Sequence, residues 1–73
     1  MENLLSLHEA IAVVLLKQSG RIATFDFITN QIAKRNLYKT KKGMNPAAKQ
    51  VRSRTRKYKH LFQFLPPGKT KLI

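Results

Sequence analysis

From Leu7 onward the apolar residues Leu7, Ala10, Ile11, Val14 and Leu15 fall at steps of three and four, the repeat of an α-helix. Ser6 and Glu9 stand in capping-box spacing, in which each side chain satisfies the other residue's backbone N–H at a helix start. Gly20 suits the left-handed position that closes a helix. The pattern therefore predicts helix 1 over 7–19, nearly apolar all round and so central. Arg21-Ile22-Ala23 is too short for a helix and reads as extended, at most a one-bridge strand. Thr24 is a good N-cap, and Asp26 sits where a helix dipole favours an anion. Phe25 or Phe27, with Ile28, Ile32 and Ala33, makes the stripe of a second helix over 25–36. Asn36 closes that helix, and Leu37 and Tyr38 fold back as a latch.

A basic loop with Gly43 follows, and then Asn45-Pro46. A cap residue followed by proline at the first helical position predicts a third helix over 46–60, because the missing proline N–H costs nothing there. After it, residues 62–65 and 70–73 read as strands joined by the turn Pro66-Pro67-Gly68-Lys69, a wing hairpin over 62–73. The order helix, extended segment, helix, helix, strand, turn, strand is that of a winged helix-turn-helix: mainly α, with a small hairpin in a two- to three-stranded sheet. The 73 residues suffice for one such domain. The longest apolar run, Ala10 to Leu16, is too short to span a bilayer, so no membrane is expected. A secretory leader is not expected either, since the first residues carry Glu2 rather than a basic patch. The absence of cysteine excludes disulfides and thiolate zinc sites and fits a cytoplasmic setting.

Charge sharpens this picture. The formal net charge is +12. Residues 1–27 hold all three acids, Glu2, Glu9 and Asp26, beside Lys17 and Arg21; every other Lys and Arg lies in 28–73, where there is no acid. A solubilising surface does not account for so one-sided a distribution, and a polyanion is the commonest use for it. With about 100° per residue, the third helix places Ala48, Val51, Thr55 and Tyr58, followed by Phe62, on one side. Pro46, Lys49, Ser53, Arg56, Lys57 and His60 lie opposite, with Gln50 and Arg52 on the flanks. Such a rod fits the major groove of DNA. There Arg and Lys match guanine, Gln50 is the amide available to adenine, and Ser53 serves a base or a phosphate, while Arg52, Arg54 and Lys59 suit phosphates on the walls. Lys41 and Lys42 in the loop, and Lys69 and Lys71 in the wing, join the expected DNA-binding set.

Other chemistries find less support. His8 and His60 are far apart with few acids near them, so no metal or other cofactor is expected, and no nucleophile–base set suggests an enzyme. Gly68-Lys69-Thr70 resembles the end of a phosphate-binding loop, but position 63 is Gln rather than Gly and a strand follows. A nuclear-localisation reading of the basic cluster conflicts with its commitment to a folded helix.

The runs "LSLHEAIAVVLLKQSGRI", "FDFITNQIAKRNLY", "NPAAKQVRSRTRKY" and "LFQFLPPGKTKLI" together resemble the HARE-HTH winged-helix domain over about residues 4–73. Gly20, the Asn45-Pro46 pair and the closing aromatic strand, Pro-Gly turn and hydrophobic strand carry the resemblance. That family occurs in restriction-linked bacterial proteins, the delta subunit of bacterial RNA polymerase and chromatin-associated eukaryotic regulators. The resemblance implies DNA binding, or docking within transcription and chromatin complexes. The expectation is thus a protein that binds double-stranded DNA as a monomer or weak dimer, in transcription regulation or DNA maintenance at the bacterial nucleoid. An interaction module for an acidic protein partner is the alternative. RNA ranks last, because few aromatics are expected at the surface to stack on unpaired bases.

Overall fold

The computed structural model describes residues 4–73 and has the winged-helix order of elements. Helices α1 (Leu7–Leu16), α2 (Phe25–Lys34) and α3 (Ala48–Lys57) pack against one face of a three-stranded antiparallel sheet. Its strands are β1 (Ile22–Thr24), β2 (Phe62–Leu65) and β3 (Lys69–Leu72), in the order β1-β3-β2. The extended segment expected over 21–23 is therefore a three-residue edge strand one position later, pairing Ile22 with Lys71 and Thr24 with Lys69, while Arg21 closes the preceding 3-10 turn. Glu2 lies outside the described residues.

Local chemistry explains most of the helix ends. At α1 the Ser6 N–H donates to Glu9 Oε1 at 2.8 Å, and the Glu9 N–H donates to Ser6 Oγ at 3.3 Å. The donation from the Ser6 backbone, helped by its hydroxyl, holds the Glu9 carboxyl below the usual carboxylate range. Helix α1 stops at Leu16, short of 19, and a 3-10 turn over Ser19–Arg21 follows with Gly20 at φ 68°. Glycine takes that left-handed conformation without steric cost. Thr24 caps α2 through Oγ1, which accepts from the Phe27 N–H at 3.0 Å. At its other end Leu37 N–H donates to Ile32 O and Asn36 N–H to Ala33 O, with Asn36 at φ 52°. This is a Schellman closure, and it turns Leu37 back onto the core as the latch expected of it.

The start of α3 differs from expectation. Asn45 is not its cap and Pro46 is not in the helix: Asn45 Oδ1 accepts from Lys39 Nζ, Pro46 is buried, and the N-cap is Ala47. Burial keeps Pro46 in the lead-in, so it takes no part in the cationic face. The helix also ends at Lys57 rather than 60, which puts His60 in the turn beyond it. Tyr58 O there accepts from both the Leu61 and Phe62 N–H groups and leads the chain straight into β2.

The core joins Leu7, Ala10, Ile11, Val14 and Leu15 of α1 to Phe25, Ile28 and Ile32 of α2, Val51 of α3, and Phe62 and Leu72 of the sheet. Phe25 rather than Phe27 is the buried aromatic of α2. Helix α1 is central, but Leu16 is 59% exposed, so it is not covered all round. The two buried hydroxyls are satisfied: Thr55 Oγ1 donates to Arg52 O at 2.8 Å, and Thr70 Oγ1 to Gln63 O at 3.2 Å. That makes threonine acceptable inside a small core, where an unpaired hydroxyl would be costly.

Candidate nucleic-acid interface

Helix α3 separates two chemistries on one rod. Val51 and Thr55 are buried, while Lys49, Gln50, Arg52, Ser53, Arg56 and Lys57 are exposed. The helix carries six exposed polar positions and no acid, so its outer side is a continuous cationic ridge. Grooves border it on several sides. One, towards the start of α2 and the wing turn, is lined by Phe25, Asp26, Ala48, Lys49, Arg52 and Gly68. A second, towards α1 and the latch, includes Leu7, Tyr38, Gln50 and Arg54. A third runs along β2 and includes Arg56, Lys57, Lys59 and Phe64.

Two residues of the ridge are partly engaged already. Gln50 Oε1 accepts from the Ala47 N–H at 2.8 Å, which is half of a capping box that Ala47 has no side-chain oxygen to complete. The bidentate pairing with adenine expected of Gln50 needs that same oxygen. The cap therefore sets the direction of that oxygen while it is made, leaving it one lone pair, and the amide nitrogen stays free to reach outward. The Arg52 guanidinium lies 5.4 Å from the centre of the Phe25 ring, a cation–π contact that leans it towards α2. Lys49, Ser53, Arg56 and Lys57 make up the rest of the ridge.

The loop and wing lysines fall elsewhere. Gly43 N–H donates to Thr40 O at 2.8 Å, with Gly43 at φ 77°, and this closes a tight turn with the exposed Lys41 and Lys42 at its tip. Lys41 lines a groove with Ser6, Glu9, Tyr38 and Arg54, on the α1 side of α3. In β3 the alternation of exposed Lys69, buried Thr70, exposed Lys71 and buried Leu72 turns both lysines to the outer face of the sheet. Lys71 shares a groove there with Gln18, Arg21 and Gln63. The period of two in a strand thus commits both wing lysines to the face the helices do not cover. The wing element that does reach α3 is the turn itself: Gly68 borders Lys49 and Arg52, and its carbonyl accepts from the Phe25 N–H at 3.2 Å.

His60 is exposed near Tyr58, at 6.0 Å between ring centres, and Tyr58 is stacked on His8 at 4.0 Å. Among the described residues no group of three or more His, Cys, Asp or Glu is placed to hold a metal ion, and no helix is long and apolar enough to cross a membrane. Sequence reasoning missed Phe64, which borders the ridge with 47% of its surface exposed. Its place in an aromatic strand next to Phe62 reads as core, and nothing local reveals that its cover is incomplete. Comparison with models of known families, with curated proteins and with solved structures returns no match.

Proposed function

We propose that this winged helix binds double-stranded DNA, with α3 lying in the major groove, and that it acts in transcription regulation or DNA maintenance. The observation that carries this reading is the acid-free ridge of Lys49, Arg52, Ser53, Arg56 and Lys57 on a helix held by Val51 and Thr55. A helix about 10–12 Å across matches a major groove about 12 Å wide. Arg56 and Lys49 suit guanine edges, Arg54 and Lys59 the phosphate walls, and Lys41 and Lys42 the backbone beyond the α1 side. Lys69 directly follows the turn that borders α3, so it is the wing lysine with the better access to the same DNA; Lys71 stands with Arg21. The resemblance to HARE-HTH domains supports the same reading. No catalytic or cofactor role is proposed.

Two double charge reversals test it. Lys49→Glu with Arg56→Glu changes the ridge, and Lys17→Glu with Arg21→Glu changes net charge equally at the far end of α1. All four residues are exposed, so the fold should survive both changes. Measured on one duplex at one salt concentration, the first pair should abolish binding and the second should weaken it modestly. Equal losses would leave only a diffuse polycation. No binding of the unmodified protein at low salt would turn the reading towards an acidic protein partner.

A further inference from the structure

The groove between α3 and β2 differs from the rest of the ridge in having an aromatic wall. It has a volume of about 740 Å³ and is lined by Ser53, Arg56, Lys57, Lys59, Phe62 and Phe64, with Thr55 and Thr70 at its floor. All of its charged lining is positive. Phe64 pairs with Thr70 across the strands and therefore points to the inner face of the sheet, yet nearly half of it is open to solvent. It is nonetheless held in place, because its ring stacks on that of the buried Phe25, with centres 6.2 Å apart and planes inclined by 13°. A fixed aromatic surface beside three cations and a hydroxyl matches one kind of ligand: a flat apolar ring joined to an anion.

We infer that this groove receives a single unpaired DNA base, stacked on Phe64, with its flanking phosphates on Lys57 and Lys59. The inference rests on the DNA-binding reading and deepens it. Within an intact duplex both faces of each base are covered by its neighbours, so Phe64 has nothing to stack on. A base that has lost its partner is cheaper to swing out. A base stacked on an aromatic side chain gains binding in a way that depends little on which base it is. The groove is also of a size that encloses a small ligand, about 300–1,000 Å³. The protein would therefore favour DNA with a local pairing defect over fully paired DNA, without strong sequence preference at the defect.

The test uses two short duplexes with the same number of phosphates, one fully paired and one in which a central 2-aminopurine faces an abasic sugar. The protein should bind the second roughly tenfold more tightly, the order expected of one stacked base, and 2-aminopurine fluorescence should change on binding. Phe64→Leu keeps an apolar side chain against Phe25 but removes the stacking surface. It should lose the tenfold preference and retain the affinity for paired DNA, whereas Phe64→Trp should keep the preference; circular dichroism checks both folds. Equal affinity of the unmodified protein for the two duplexes would overturn the inference and leave the proposed function standing. So would a preference that persists in Phe64→Leu, which would be owed to the flexibility of defective DNA. An all-RNA version of the probe bound as tightly would overturn the commitment to DNA. Binding to neither duplex would sink the proposed function itself.

Discussion

Val51 and Ser53 are two residues apart on α3 and face opposite environments: Val51 is fully buried and Ser53 is exposed. An aspartate at each position separates the two faces. Val51→Asp puts a carboxylate among Ile11, Ile28 and their neighbours in the core, at a cost of several kcal/mol, on the order of the whole stability of a small domain. Ser53→Asp adds a charge to solvated surface among cations and should leave the fold intact. Thermal melts should show the first variant unfolded and the second close to the unmodified protein, and similar melts would mean that α3 is turned the other way. Ser53→Asp should also weaken binding to DNA, since its carboxylate would face phosphate. The residue scale likewise explains why Gln50 and Arg52 are poor guides to sequence preference. The oxygen of one is used in a cap and the guanidinium of the other leans on Phe25.

At the scale of elements, the three helices are unequally closed. Helices α1 and α2 begin with a side-chain oxygen on a backbone N–H, at Ser6 and Thr24, and α3 begins at Ala47, which has none. Gln50 satisfies the backbone N–H of Ala47, but the donors of the first turn of α3 lack a capping side chain. Ala47→Ser would supply the missing oxygen and complete a Ser-x-x-Gln capping box on an exposed position. A gain of about 1 kcal/mol is expected, visible as a raised midpoint in urea with an unchanged slope. A lowered midpoint would mean that the backbone at Ala47 is not free to make the cap. The wing is the other element whose behaviour follows from its period: alternation sends Lys69 and Lys71 outward and Thr70 and Leu72 inward, whatever the charge would favour.

For the whole molecule, the relevant quantity is the placement of charge. Of the described acids, Glu9 is tied into the cap of α1 and Asp26 stands at the start of α2, while the charged groups of the α3 ridge are all cations. If that ridge and its neighbours meet about five phosphates, the affinity for duplex DNA should fall with salt with a log–log slope near −4.5. Titration at several salt concentrations measures it. A slope near zero would show that phosphates are not what the ridge meets. A slope far steeper would bring the outer face of the sheet, with Lys69, Lys71 and Arg21, into contact as well.

The sequence by itself determined the helices, their order with the strands, the side of α3 that is buried and the side that is charged. These are local matters. Capping boxes and the repeat of apolar residues act over a few positions, and Ser6–Glu9, Thr24 and the Val51–Thr55 stripe behave in the structure as their spacing indicates, while Gly20 takes the left-handed conformation expected of it but in a 3-10 turn beyond the end of α1. Tertiary structure decided what depends on distant neighbours. Asn45-Pro46 has the form of a helix start, yet Pro46 is taken into the interior and Lys39 engages Asn45, so α3 begins two residues later. The lysines of the wing belong to the outer face because β3 pairs with strands on both sides, which fixes one face of the sheet against the helices. Phe64 points inward like a core residue and remains open because α3 ends at Lys57 and a groove separates them. Whether an inward side chain is covered depends on the element opposite it, and that element comes from another part of the chain.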